Sequence, residues 1–201
     1  MALLQSQKNE CSHSLFLNQI FAKSLRFLLS LGLCYGLLTG ISSAEEALEF
    51  KVKAAYLYNF TKFVNWPEKS TENFNICLLG KHPFGDLLLS LESKTVLEKP
   101  IRLVQLNSAK ENVDCHMLYV DELELLPNAK TTNETIAKPL HNSLIISSQP
   151  TFAQRGGMIG FITQDGKVKL EINLKVLKQS GLSVSAQLLE VANIVNRGPD
   201  E

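Results

Sequence analysis

The sequence predicts a single α/β domain with a mostly parallel sheet, an antiparallel C-terminal hairpin and helices on both faces. Two observations support this fold class. Short apolar runs alternate with segments of helical period along most of the chain. In addition, Asp165 and Gly166 join two runs of alternating apolar and polar residues, and Asp-Gly is the strongest short signal for a β-hairpin.

The N-terminal part of the chain predicts an export signal. The uncharged run Leu28–Ile41 follows basic residues and is shorter than the roughly 20 residues that a membrane span needs. Small residues then suit a cleavage site, so we expect a cut after Ala44, with 1–44 as signal peptide and 45–201 as one exported domain. Cys34 leaves a lipoprotein anchor as an alternative, which the bulky residue before it disfavours.

The stretch "YLYNFTKFVNWP" is rich in aromatic residues and lies in a segment of helical period, residues 45–66. Its apolar arc covers roughly 200°, which is wider than the stripe of an ordinary surface helix. We therefore expect a helix that packs against two surfaces, either wholly in the core or partly against a second subunit. Pro67 is expected to end it, since the residue before a proline is driven out of the helical region.

The remaining elements follow from apolar runs, glycines and turn residues. Predicted strands cover residues 74–80, 101–106, 115–120 and 143–148, and the hairpin covers 158–174. Predicted helices cover residues 83–93, 132–138, 174–179 and 185–195. No internal repeat and no long linker interrupts this order, which indicates one domain.

Two cysteines, Cys77 and Cys115, remain after the predicted cleavage. In an oxidising compartment an even pair predicts a disulfide. Two buried free thiols are an alternative. A zinc site with His116 would need a fourth ligand, and neighbouring residues on a strand point to opposite faces, so we expect no metal site.

Composition and motifs argue against catalysis and nucleic-acid binding. The 20 basic and 20 acidic residues balance, and no basic stripe interleaved with aromatic residues is found. The segment Gly80–Gly85, "GKHPFG", lacks the Lys-Ser/Thr of a phosphate-binding loop, and no hydrolase or metalloprotease motif occurs. We therefore expect no catalytic residues and no cofactor, and we interpret the protein as a binding or regulatory protein rather than an enzyme.

Three segments together resemble the YfiR family of periplasmic proteins, over residues 47–195. They are "KAAYLYNFTKFVNWP", "ICLLGKHPFG", and "GGMIGFI" followed by "VKLEINLKVLKQSGLSVSAQLLEVA". The resemblance implies an exported, often dimeric α/β domain without catalysis. It also implies that the protein binds the periplasmic sensor part of an inner-membrane diguanylate cyclase and represses it, which lowers cyclic-di-GMP and biofilm formation.

Candidate residues for partner binding lie near the hairpin. Glu171 and Asn173 fall on the polar face of an expected edge strand, although Asn173 could instead cap the following helix. Phe152 and Met158 are candidate apolar anchors, or alternatively core residues. Two other functions stay open: a small-ligand binding protein with its pocket at the loop after Gly80, and a regulator of another membrane sensor such as a histidine kinase.

Overall fold

The structure, a computed structural model, describes residues 40–123 and 142–195, with side chains from residue 45 onward. The described residues from Ala47 onward belong to one compact unit. The predicted signal peptide lies almost entirely outside the described residues, as does the predicted helix 132–138. Both stay predictions.

The described residues form ten strands and four helical segments. The strands are β1 Val64–Asn65, β2 Phe74–Leu79, β3 Thr95–Val96, β4 Lys99–Leu106, β5 Met117–Val120, β6 Leu144–Ser147, β7 Ile159–Gln164, β8 Lys167–Asn173, β9 Ser183–Val184 and β10 Ala192–Val195. The helices are α1 Gly40–Phe63, α2 Leu174–Gln179 and α3 Ala186–Glu190, and Gly85–Ser93 is a 3-10 helix.

Eight of these strands form one sheet in the order β10-β8-β7-β6-β5-β2-β4-β3, and β1 and β9 form a separate antiparallel ribbon. Parallel pairing joins β4, β2, β5, β6 and β7 in a continuous block, and it also joins β10 to β8. The antiparallel pairs of this sheet are β3 with β4 and β7 with β8. The predicted fold class, a mostly parallel sheet with an antiparallel hairpin, is confirmed.

The central strands are buried because their sequences are continuous apolar runs. All four residues of β5 and all four of β6 are buried, as expected for parallel strands in the middle of a covered sheet. In β2, five of the six residues are buried, and the exposed fraction of Phe74, Ile76 and Leu79 is zero. These strands therefore form the centre of the core.

Helix α1 covers one face of the sheet with its aromatic side chains. Leu57 and Phe60 are fully buried, and the ring of Phe60 stacks on that of Phe161 in β7, with centroids 6.1 Å apart. The helix ends at Phe63, three residues before the predicted end, because Val64 and Asn65 leave the helix to pair with β9. Strand pairing, rather than the proline, sets this boundary.

The hairpin forms at the predicted turn. Asp165 and Gly166 have φ angles of 53° and 67°, the positive values that a two-residue turn between twisted strands requires. The strands on either side pair antiparallel, from Gln164 with Lys167 to Ile159 with Ile172. A second two-residue turn, at Leu97 and Glu98 between β3 and β4, has positive φ at both positions although neither residue is glycine or asparagine.

The predicted C-terminal helix 185–195 is wrong in its second half. Helix α3 ends at Glu190, and the following residues form β10, which pairs parallel with β8 from Ala192–Leu170 to Val195–Asn173. As a result β8 lies between two strands and is not the edge of the sheet.

Candidate functional site

The β1–β9 ribbon borders an open groove of about 280 Å³. Two short strands pair here through Val64 with Val184 and Asn65 with Ser183, and the Ser185 N–H donates to the Phe63 carbonyl oxygen at 2.8 Å. The residues that line the groove are Lys62, Phe63, Val64, Asn65, Ser183, Val184 and Ser185. The end of α1 and the segment before α3 therefore form its two walls.

Helix α3 connects this groove to the edge of the sheet. Ser185 caps the helix, because its hydroxyl oxygen accepts a hydrogen bond from the Leu188 N–H, and the side chain of Leu188 is buried in the core. A helix of five residues is about 7.5 Å long. At its far end, Val191 is 59% exposed and Ile194 in β10 is 39% exposed. We refer to the groove together with Val191 and Ile194 as the C-terminal surface.

The expectation that β8 is an edge strand with an outward polar face is wrong. Strand β8 lies between β7 and β10, and the segment before β7 contacts the side chains of Glu171 and Asn173, whose exposed fractions are only 8% and 0%. Glu171 accepts a hydrogen bond from the side-chain amide of Gln154 at 2.8 Å. These contacts lie inside the chain, so a role of either residue in binding a partner stays a prediction.

Asn173 performs the alternative role, that of a helix cap. Its side-chain oxygen accepts from the Val176 N–H at 3.2 Å, and its side-chain nitrogen donates to the Ala153 carbonyl at 2.9 Å. One buried side chain thus ties the start of α2 to the segment between β6 and β7. Such a position needs an amide, since both a donor and an acceptor are used.

Phe152 and Met158 also lie in the core, with exposed fractions of 7% and 3%. The ring of Phe152 packs so closely on Gly157 that a Cβ atom there would overlap it. The sulfur of Met158 lies 3.4 Å from the Ile145 N–H. Their burial fits the core alternative, and a part in partner binding stays a prediction.

Cys77 and Cys115 form a disulfide, as predicted from the even number of cysteines after the predicted cleavage, and their Cα atoms are 5.8 Å apart. Cys77 belongs to β2, and Cys115 lies two residues before β5. Both are fully buried. The bond therefore links β2 to the residues just before the adjacent strand β5, at a sequence separation of 38 residues.

His116 lies beside this crosslink and is almost fully buried. Its Nδ1 accepts a hydrogen bond from the Asn75 N–H at 3.1 Å. Burial, together with the positive charges of Lys69 and Lys99, lowers the pKa of His116 from 6.5 to about 4. Burial also lowers the pKa of Lys69, whose ammonium group donates to the Cys115 carbonyl. The imidazole is therefore neutral near pH 7.

A polar cluster lies where the central strands end. The Tyr119 hydroxyl donates to Asp121 Oδ2 at 2.5 Å and lies 2.9 Å from the Ser148 hydroxyl. The Ser148 N–H donates to Asp121 Oδ1 at 2.7 Å. Burial, with the hydrogen bond to Asp121, raises the pKa of Tyr119, so the phenol stays neutral. Phe84, from the loop after Gly80, packs edge-on against Tyr119 with centroids 4.7 Å apart.

The hydrogen-bonding groups of this cluster are thus used by one another, which gives little support to the small-ligand alternative. In the part of the chain that the structure describes, no group of three or more His, Cys, Asp or Glu side chains is placed to hold a metal ion.

The C-terminal surface was not predicted from the sequence. Leu188, Val191, Ala192 and Val195 follow the spacing of one helix face, which favoured a continuous helix. The signal that could have found β10 is the uncharged, β-branched stretch that follows Glu190, "VANIV". The exposure of Val191 and Ile194 is seen only in the structure, at the end of α3 and in the edge strand β10.

These features define a small α/β protein in which a groove of mixed polarity and two exposed apolar side chains lie next to a sheet edge. A family model described as YfiR/HmsC-like matches residues 50–193, so the chain belongs to the YfiR/HmsC-like family, a family of periplasmic regulators of diguanylate cyclases. The resemblance found in the sequence is confirmed. No curated protein matches the chain. Among the described residues, no helix is both long enough and apolar enough to cross a membrane.

Proposed function

We propose that the protein is exported to the periplasm, binds the sensor part of an inner-membrane diguanylate cyclase and holds the cyclase inactive. Repression of the cyclase would lower cyclic-di-GMP and biofilm formation. The observation that supports this most strongly is the family match over residues 50–193, because that family consists of regulators of such cyclases.

We place the contact with the sensor on the C-terminal surface. Val191 and Ile194 expose apolar area that a solvated protein gains free energy by covering. The adjoining groove adds a concave site at the other end of α3. Apolar side chains next to a groove are the kind of surface that protein partners use as a binding centre.

The test measures cyclic-di-GMP by mass spectrometry in a strain that lacks this gene and carries its own periplasm-sensing diguanylate cyclases. Expression of the full chain should lower cyclic-di-GMP several-fold and reduce biofilm. The matched control is Leu33→Arg, which places a charge in the predicted signal run, blocks export and should abolish the effect. An unchanged cyclic-di-GMP level with correctly exported protein would contradict the proposal.

Export itself has a direct readout. The protein should appear in the periplasmic fraction, and mass spectrometry of its N-terminus should give Glu45 as the first residue. The family resemblance also implies a homodimer, which light scattering of the purified protein tests.

A further inference from the structure

The two edges of the eight-stranded sheet differ in what covers them. At the β4 side, β3 pairs with Lys99 and Pro100, and beyond it the Ile101 N–H donates to the Lys94 carbonyl at 3.0 Å. The Leu103 N–H then donates to the side-chain carboxylate of Glu92 at 3.1 Å. Backbone groups that could pair with a foreign strand are therefore used within the chain, which is a known protection of sheet edges.

The β10 edge has no comparable cover in residues 40–123 and 142–195. β10 pairs with β8 on one side and is the last strand in the sheet order. In a parallel pair, alternate residues turn their N–H and C=O groups away from the neighbour. About two of the four residues of β10 therefore present their backbone donors and acceptors along the outer side of the sheet.

The side chains at this edge do not oppose strand pairing. The segment Val191–Val195 contains no charged residue and no proline, the two residue classes that usually guard an exposed edge. Instead Val191 is 59% exposed and Ile194 is 39% exposed. The edge thus combines accessible backbone groups with apolar side chains.

We infer that β10 receives an extended segment of the membrane sensor as an added strand of this sheet. The inference rests on the proposed function and specifies its partner: a polypeptide in extended conformation with an apolar side chain beside Ile194. A row of alternating N–H and C=O groups is complemented by another polypeptide backbone, and this is the basis of β-strand addition. A lipid or a small molecule does not offer such a row of groups.

The groove supports this occupant. It begins at Ser185, the cap of α3, and β10 begins two residues after α3 ends. The five residues of α3, about 7.5 Å of helix, separate the groove at Ser185 from the residues that lead into β10. A stretch of the sensor that pairs with β10 and follows α3 would contact both the edge strand and the groove.

The experiment uses the purified exported protein and, as the probe, the periplasmic sensor domain of the diguanylate cyclase that it represses. Hydrogen exchange of the free and bound protein is followed by mass spectrometry. Exchange in residues 191–195 should slow at least tenfold on binding, and exchange in Lys99–Leu106 at the covered edge should not change. This comparison uses only the wild-type protein, so its result does not depend on whether a variant folds.

A matched pair of variants tests the side chain. Ile194→Lys places a charge on the open edge and should weaken sensor binding at least tenfold. Leu89→Lys, at a 54% exposed leucine of the 3-10 helix that packs against β4, should leave binding within twofold. Both variants should keep the wild-type melting temperature.

Each other outcome has a distinct meaning. A sensor that binds without slower exchange in 191–195, or that binds Ile194→Lys as tightly as the wild type, overturns the strand pairing and leaves the proposed function intact. Slower exchange that grows with protein concentration without the sensor overturns it in favour of pairing between two copies. Pairing at β10 without loss of cyclase activity contradicts the repression alone, and absence of any binding overturns both.

Discussion

The imidazole of His116 stacks on the ring of Phe74, with centroids 4.4 Å apart and ring planes 25° from parallel. The stacking places a titratable group inside the core, next to the central disulfide. Burial and nearby lysines hold the pKa of His116 at about 4, well below its ordinary value of 6.5. The folded protein thus binds a proton at this site less readily than the unfolded chain does.

This difference predicts a loss of stability in mild acid. Well above pH 6.5 both states carry a neutral imidazole and His116 makes no pH-dependent contribution. As the pH falls from 6.5 towards 4, the unfolded chain takes up the proton first, so the free energy of unfolding decreases, by up to about 3 kcal/mol. Urea unfolding at pH 7 and pH 4.5 measures the change. In His116→Asn the decrease over the same interval should be smaller, and an equal decrease would contradict the assignment.

The double role of Asn173 predicts a large effect of a small change. Asn173→Ala removes the cap of α2 and the bond to the Ala153 carbonyl, both at a fully buried position. We expect a loss of about 2–3 kcal/mol in the free energy of unfolding, measured by urea denaturation. The control is Asn193→Ala on the exposed strand beside it, which should cost less than about 0.5 kcal/mol. Equal effects of the two changes would refute the capping role.

Gly157 is expected to be intolerant of a side chain. In Gly157→Ala the new Cβ would overlap the ring of Phe152, which must then leave its buried position, at a cost of about 2–3 kcal/mol in unfolding free energy. Gly160→Ala is the control, because its Cβ would lie 3.6 Å from the nearest atom, the Ala153 nitrogen. Adding Phe152→Leu to Gly157→Ala should recover part of the loss. A melting temperature of Gly157→Ala equal to that of the wild type would show that the ring does not pack there.

The disulfide is expected to increase the free energy of unfolding by a measurable amount. Replacing both Cys77 and Cys115 by alanine should lower the free energy of unfolding by about 3–4 kcal/mol, since the bond closes a loop across 38 residues. Wild-type protein unfolded in the presence of reductant should approach the same value. If the double variant and the oxidised wild type unfold at the same urea concentration, the crosslink contributes nothing.

The turn between β3 and β4 offers a stabilising change. Leu97 and Glu98 have φ angles of 51° and 63°, in the left-handed region that favours asparagine and glycine. Leu97→Asn combined with Glu98→Gly should raise the free energy of unfolding by about 1 kcal/mol. The same pair of changes at Ser108 and Ala109, which are not among the residues with positive φ, should not stabilise the protein.

Local signals predicted most of the fold. The apolar runs of β2 and β6 and the Asp165-Gly166 turn are short-range features, so the strands appear where the sequence indicates them. Strand β3 was missed because its turn uses Leu97 and Glu98, which carry no turn signal. An element is therefore predicted correctly where the local sequence carries the usual signal for its backbone conformation, and it is missed where that signal is absent.

The candidate site was harder to predict because it depends on which strand lies at the edge. The spacing from Leu188 to Val195 suits a helix, but pairing with β8 outweighs this preference and converts the last residues to β10. That single difference places β8 inside the sheet and Ile194 on the edge strand, where it is 39% exposed. Long-range pairing of this kind leaves no periodic trace in the sequence.

The sheet order also has a consequence for how the chain reaches its native state. β2 is the earliest strand of the large sheet, and it lies inside it, with β4 on one flank and β5, β6, β7, β8 and β10 following in sequence on the other. Apart from β3, which pairs with β4 through a two-residue turn, each later strand therefore docks onto a neighbour that precedes it in the chain, with no need to insert between strands already joined. The sheet can therefore grow by adding one strand at a time to its edge. The last strand, β10, can pair with β8 without any rearrangement of the strands already formed.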